Sequence, residues 1–244
     1  MDHHAKVVEL PQSPEKRRRK ILLITAGIIV VLSLITVLVL SFSPLLAAKN
    51  IKVTGTKLIN EQQVLKALAP LEGTPLPRIS EARVTELLGE QPALEGVVVR
   101  AQMPDTLVVE ILESTPVAIL VDGKTNYLVS DTGTKLKKLG SKDKTKLPKI
   151  KASDATKDPE KFKELASVLS GVDEKILGQV STASLTDAGF VELALPNKHV
   201  LIWGNGNNAA LKNEVAKIFL KELKEKTLTK KTIDVSNPEN PVTY

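Results

Sequence analysis

Three short patterns in this 244-residue chain are of the types that do chemistry. Gly204-Asn205-Gly206-Asn207-Asn208-Ala209 fits G-x-G-x-x-A, follows an apolar run, opens a helix-like segment and leads to Asp234. A dinucleotide fold uses such an arrangement to rest a pyrophosphate on a helix N-terminus. Only 35 residues follow Ala209, too few for the remaining strands of that domain. The segment therefore reads as a glycine turn, with Asn207 or Asn208 as the helix cap. Ser141-Lys142-Asp143-Lys144 matches S-x-x-K, the nucleophile pattern of penicillin-binding enzymes, and so does Ser13-Pro14-Glu15-Lys16. Neither S-x-N nor K-T-G accompanies them, and Lys124-Thr125-Asn126 lacks the glycine. A solvated loop accounts for Ser141-Lys144 without chemistry. His199 stands apart from His3 and His4, so no H-E-x-x-H zinc site or Ser/His/Asp arrangement forms around it. With no cysteine there is no thiolate nucleophile, thiolate metal site or disulfide. Asp173-Glu174 are chain neighbours whose side chains diverge into solvent. No catalytic, cofactor or metal residue is assigned, and the chain reads as non-enzymatic.

The elements around these patterns begin with a membrane anchor. Ile21 to Leu40 is a run of 20 uncharged residues made almost wholly of Ile, Leu and Val. As a helix it is about 30 Å long, the thickness of a hydrocarbon core. Lys16, Arg17, Arg18, Arg19 and Lys20 precede it, while Ser41-Phe42-Ser43-Pro44 follows. The positive-inside rule puts residues 1–20 in the cytoplasm and everything after about residue 41 outside. A cleaved signal peptide fits less well, because its apolar region is shorter and Leu45-Leu46-Ala47-Ala48 lacks a small residue at −3. Of the net charge of +6, half lies in residues 1–20, where six Lys/Arg meet three Asp/Glu. That half is a topology signal. With aromatics at 3% there are few platforms for stacking bases, so nucleic acid is excluded as a partner.

Outside the membrane, residues 42–49 read as a linker and residues 50–115 as a first compact unit. Ile51–Thr54 alternates as a strand and stops at Gly55. Asn60 with Gln63 and Ile59 with Val64 predict a capped helix that ends at Pro70; Ser80 with Ile79 and Val84 predict a second, ending at Gly89. Strands Gly96–Ala101 and Thr106–Leu112 flank a Met103-Pro104-Asp105 turn, giving the order β-α-α-β-β. Residues 116–244 form a second unit. Strands are expected at Val117–Val121 and Asn126–Ser130 across Asp122-Gly123, then at Ile176–Ser181, Phe190–Leu195, His199–Trp203 and Ile233–Val235. One helix opens at Asp158-Pro159; another, from about Asn208 to Lys226, is expected to bury Leu211, Val215, Ile218, Phe219 and Leu223. Residues 135–151 hold eight lysines and one Asp and read as a soluble loop guarding a strand edge. The alternative is weak contact with anionic lipid or wall polymer.

Residues spread along nearly the whole chain resemble the FtsQ/DivIB family of bacterial division proteins. Ile51-Lys52-Val53-Thr54-Gly55 resembles the opening strand of that family's POTRA domain. Val99-Arg100-Ala101-Gln102-Met103-Pro104-Asp105-Thr106-Leu107 is similar to its hydrophobic, basic, x, x, Pro-Asp-Thr-Leu stretch. Glu113-Ser114-Thr115-Pro116-Val117-Ala118 resembles its Glu-Arg-x-Pro-Val-Ala exit, with Ser114 where Arg is common. Ile233-Asp234-Val235-Ser236-x-Pro-x-x-Pro-Val looks like the end of its β domain. The resemblance implies an α+β chain: a single transmembrane helix, here 21–41, then a β-α-α-β-β POTRA domain and a mixed sheet-and-helix β domain. It further implies a single-pass scaffold at the division septum that joins FtsB-like and FtsL-like (DivIC-like) partners and regulates septal wall synthesis. The partner positions carried over are Ile233, Asp234, Val235, Ser236, Pro241, Val242, Thr243 and Tyr244, as an edge for strand addition with Tyr244 as anchor. Asn237 departs from the larger residue common there. Two other classes share parts of this pattern. A signal-anchored wall enzyme would need the catalytic groups that are missing. A POTRA-type translocation component would pair with a barrel, and no lipid-facing strand series follows.

Overall fold

The computed structural model describes residues 14–42, 46–140, 143, 145–152 and 158–244. Ser13 and Ser141, the serines of both S-x-x-K patterns, lie outside the described residues, as do Lys142 and Lys144. Helix α1 runs from Pro14 to Phe42, and among the described residues it is the one helix long and apolar enough to cross a membrane. All its described side chains from Arg18 to Val37 are exposed. Two of the hydroxyls in this span are satisfied locally: Thr25 and Thr36 donate to the carbonyls of Ile21 and Leu32 at 2.9 Å. A hydroxyl spent on its own backbone presents no unmet polar group to hydrocarbon.

The first unit contains β1 (Asn50–Thr54), α2 (Glu61–Leu68), α3 (Glu81–Leu88), β2 (Leu94–Gln102) and β3 (Thr106–Glu113). The sheet order is β1-β3-β2, with β1 parallel and β2 antiparallel to β3. The caps are those the sequence predicts. Asn60 accepts from the N–H groups of Gln62 and Gln63, and Ser80 accepts from Arg83. Val64, Leu68, Val84 and Leu88 then pack on Leu107, Val109 and Ile111. Gly55 is obligatory: at φ 83 it lies so close to Ile111 that a Cβ would sit 2.2 Å from that residue's carbonyl oxygen. The turn at residues 103–105 joins β2 to β3, and its Met103–Pro104 bond is cis. One expectation changes. Ala47 and Ala48 are not slack linker but buried residues, with the Ala48 N–H donating to Thr74 and its carbonyl accepting from Gly73.

In the second unit a nine-stranded mixed sheet carries helices on one face. Its strands are β4 (Ala118–Asp122), β5 (Thr125–Val129), β6 (Lys135–Leu139), β7 (Lys149–Lys151), β8 (Thr182–Leu185), β9 (Val191–Ala194), β10 (Val200–Gly204), β11 (Thr232–Asp234) and β12 (Val242–Thr243). Their order is β12-β11-β10-β9-β8-β7-β4-β5-β6. Helices α4 (Pro159–Ser170), α5 (Glu174–Leu177) and α6 (Ala209–Glu225) cover the core of Leu165, Leu169, Leu193, Leu201, Trp203 and Ile233. Three expectations are corrected. The lysine run is not a loop throughout: residues 135–139 are the edge strand β6, and Ile150 puts residues 149–151 inside the sheet as β7. Residues 176–181 are not a strand, because Asp173 caps the Lys175 N–H and starts the short helix α5. In α6 the fully buried residues are Lys212, Ala216 and Leu220; of the five expected, Val215, Phe219 and Leu223 pack partly buried against the core, and Leu211 and Ile218 are exposed.

The two units meet along an apolar seam: Ala93, Ile119, Leu128 and Leu136 are buried, with Leu58 and Ile59 packed against them. Glu113, at the exit of β3, holds the loop that supplies Leu58 and Ile59. Its carboxylate accepts the N–H groups of Lys57 at 3.0 Å, Leu58 at 2.7 Å and Ile59 at 2.8 Å. Hydrogen bonds to an ionised acceptor contribute about 1.5–3 kcal/mol, and Glu113→Ala leaves three donors without it. We expect a loss of about 2–3 kcal/mol in urea unfolding followed by circular dichroism, with Glu113→Gln intermediate. An unchanged midpoint for the alanine variant would refute the clasp.

Candidate partner-binding edge

Strand β12 ends the sheet, antiparallel to β11, with Thr243 opposite Ile233 and Val242 opposite Asp234. Thr232 and Tyr244 exchange both backbone hydrogen bonds, at 2.9 and 3.1 Å. Antiparallel ladders alternate inward and outward residues, so Val242 and Tyr244 spend their backbone groups on β11. The N–H and C=O of Thr243 consequently point away from the sheet. Pro241, the next residue of outward parity, has a carbonyl there but no N–H. Val242 and Tyr244 are 54% and 60% exposed, large apolar side chains left in solvent beside the open backbone.

Strand β11 is different. It lies between β10 and β12, and the side chains of Ile233 and Val235 are fully buried. Of the eight positions carried over from the sequence, Pro241 to Tyr244 lie along the edge. The side chains of Ile233 and Val235 belong to the core. Asp234 and Ser236 are half-buried, and the Asp234 carboxylate accepts the Ser236 N–H at 2.9 Å. From the edge, one face of the sheet continues uncovered: Tyr244 leads through Thr232 to Val200 and Ala194, and Val242 through Asp234 to Ile202. Val200, Ala194 and Ile202 are half-buried there, while the helices occupy the opposite face.

The G-x-G-x-x-A loop sits at the other end of β10 and is filled by the protein itself. Gly204, at φ 77, approaches Ser236 so closely that a Cβ would lie 2.8 Å from the serine Cβ. The ammonium of Lys212 donates to the Asn205 backbone carbonyl at 3.0 Å and to its side-chain oxygen at 3.3 Å. Asn208 holds the cap position at φ 53 without a side-chain cap bond. Close packing against Ser236 thus explains Gly204 with no phosphate. Lys212 is the residue that sequence reasoning missed: it is 1% exposed. Burial pushes its ammonium below the ordinary value of 10.5, opposed by the Asp234 carboxylate.

Comparison with known proteins follows the two units. The model described as POTRA domain, FtsQ-type, matches residues 46–114. The model described as Cell division protein FtsQ/DivIB, C-terminal, matches residues 118–236. This chain belongs to the FtsQ/DivIB family. Cell division protein FtsQ of Mycobacteroides abscessus is 28% identical over 89% of this chain and 68% of its own length. The FtsQ of Mycolicibacterium smegmatis is 25% identical over 90% of this chain and 63% of its own. Cell division protein DivIB of Geobacillus kaustophilus is 23% identical over 70% and 66%. This chain thus spans about two thirds of the length of each of these relatives. The FtsQ/DivIB C-terminal match ends at Ser236, so Pro241 to Tyr244 lie beyond it.

Lys212 yields a pH signature. Its folded value lies below its unfolded one, so between the two the unfolded chain holds the extra proton. The penalty is full at low pH and relieved as pH rises towards 10.5, so native stability gains with pH through that window. Lys212→Met removes this contribution. Urea titrations read by the fluorescence of Trp203, the single tryptophan, should show native stability rising relative to the variant as pH climbs towards 10.5. A constant difference would refute the assignment.

Proposed function

We propose that the chain is a non-catalytic, single-pass scaffold of the division machinery, and that FtsB-like and FtsL-like (DivIC-like) proteins join it by adding a strand to β12. The observation that carries this reading is the open edge at Thr243, flanked by exposed Val242 and Tyr244. A partner strand there gains backbone hydrogen bonds, and alternate side chains supply specificity. Because the free edge offers only the donor and acceptor of Thr243 and the acceptor of Pro241, side-chain contact must provide most of the affinity. Tyr244 and the half-buried Val200 and Ile202 support that role, since a tyrosine buries a large ring while keeping its hydroxyl solvated. Binding here serves recruitment and regulation of septal wall synthesis, without a reaction of the chain's own.

The reading also sets topology. Arg18, Arg19 and Lys20 stand exposed at the start of the apolar span, with Lys16 and Arg17 one turn before them. This supports an internal N-terminus and an external position for residues 46–244. The chain lacks cysteine, so single cysteines report cleanly. Lys124→Cys, at an exposed hairpin tip, should react with an impermeant thiol reagent on intact cells, and Gln12→Cys should not. The reverse pattern would overturn the orientation.

For the partner edge, Thr243→Pro removes the one outward N–H and leaves the inward bonds of Val242 and Tyr244 to β11. It should weaken co-purification with FtsB-like and FtsL-like proteins at least several-fold, as should removal of residues 241–244. The Trp203 unfolding midpoint should hold in both. Thr243→Ala, which keeps the N–H, should bind as the native chain does. Undiminished binding by Thr243→Pro in a folded protein would refute strand addition at β12.

A further inference from the structure

A second cavity lies away from the β12 edge and serves none of the roles above. It opens at the end of the large sheet where the chain arrives from the first unit, and has a volume of about 800 Å³. Four segments converge on it: the approach to β7, the turn from α5 into β8, the β9–β10 connection and the last turns of α6. Val180, Leu195 and Leu220 form a buried apolar floor, over which Leu147 and Leu223 remain only partly covered. Lys146, Lys149 and Lys224 stand exposed on the rim beside the half-buried His199, and among the described residues no Asp or Glu lines the cavity.

The charge of this rim is uncompensated. Among the described residues none of the three lysines forms an ion pair. The C-terminal end of α6 opposes them with about half a negative charge, against three full positive ones. Of its last carbonyls, those of Glu222 and Leu223 accept from the Lys226 N–H, and Glu222 also accepts from Thr227. His199 Nδ1 lies 3.3 Å from the Pro196 carbonyl, which tethers the ring to the β9–β10 connection.

Neither half of this site suffices alone. Exposed lysines hold a bare inorganic anion weakly, because salt screens charges over about 8–10 Å. A neutral apolar molecule would leave the ammoniums unused. A helix laid in a groove needs apolar contacts over several turns, and here the leucines left partly open among the described lining residues are Leu147 and Leu223. Clefts of about 300–1,000 Å³ suit a single small ligand.

We propose that this cavity binds an anionic amphiphile, with an aliphatic chain over Leu147 and Leu223 and a phosphate or carboxylate head among Lys146, Lys149 and Lys224. The site is independent of strand addition at β12.

The test uses the full chain in phosphatidylcholine nanodiscs, with amine acetylation rates read at each lysine by mass spectrometry. Octyl phosphate should slow acetylation several-fold at Lys146, Lys149 and Lys224 but not at exposed Lys52 and Lys66. Inorganic phosphate and octanol at the same concentration should slow none. Leu223→Asp should abolish the protection. Lys224→Gln, a surface change that leaves the fold intact, should weaken it at Lys146 and Lys149. Discs containing phosphatidylglycerol, without octyl phosphate, separate the sources. Protection there assigns a bilayer lipid, and protection by octyl phosphate alone assigns a freely diffusing amphiphile. Absence of protection in both arms, equal protection by inorganic phosphate, or protection only when division proteins are added overturns the proposal. The last outcome would make the cavity a protein-docking surface.

Discussion

The carboxylate of Glu113 is the contact on which the relation of the two units turns. Three consecutive amides, from Lys57 to Ile59, converge on it, so a loop that would otherwise be free is folded back onto the exit of β3. That loop leads directly into the Asn60 cap of α2, and it carries Leu58 and Ile59 into the seam with Ile119, Leu128 and Leu136. One ionised side chain thereby ties together helix start, strand end and interdomain packing. A neutral residue there would leave three N–H groups at the seam short of a strong acceptor. Ala48, buried and hydrogen-bonded to Gly73 and Thr74, anchors the other end of the same unit next to the membrane segment.

The far end of the large sheet depends on a buried cation in a comparable way. Lys212 closes the β10–α6 loop on Asn205 and lies near Asp234, whose carboxylate in turn holds the Ser236 amide. Gly204 lets Ser236 come close, and the chain then turns through Asn237 and Asn240 into β12. The open edge therefore hangs from an electrostatic knot and not from its own length, since β12 spans two residues. The glycine-rich segment has a structural use of its own: close approach and a tight turn are needed where the crossover leaves β10.

Local signals in the first unit were legible because each is settled within a few residues. Asn60 and Ser80 cap, Gly55 and Gly89 break, and short alternating runs make the three strands. The second unit misled where the outcome depends on distant partners. Residues 135–139 carry too little apolar surface to announce a strand, yet β5 supplies their ladder and Tyr127 takes the Lys135 ammonium 4.7 Å from its ring. Ile176 and Leu177 look strand-like in isolation, but Asp173 starts a helical turn that the core accepts. The apolar periodicity of α6 runs through Leu211, Val215, Ile218, Phe219 and Leu223, of which Val215, Phe219 and Leu223 do pack on the core. The fold also buries Lys212, because Asn205 satisfies its ammonium and Asp234 offsets its charge.

By itself the sequence determined the long apolar span, the order of elements in the first unit and the family resemblance. Each depends on run length, capping or motif, which are properties of neighbouring residues. Only the tertiary structure decided which strand is an edge. Ile233-Asp234-Val235 and Val242-Thr243 both read as terminal strand material, but insertion of β11 between β10 and β12 buries the first and leaves the second open. It alone also gathered Lys146, Lys149 and Lys224 around one apolar floor, since residues about 75 positions apart meet only when α6 packs back across the sheet. Edge and cavity are products of strand order and helix placement, and those are set by long-range burial that no local pattern encodes.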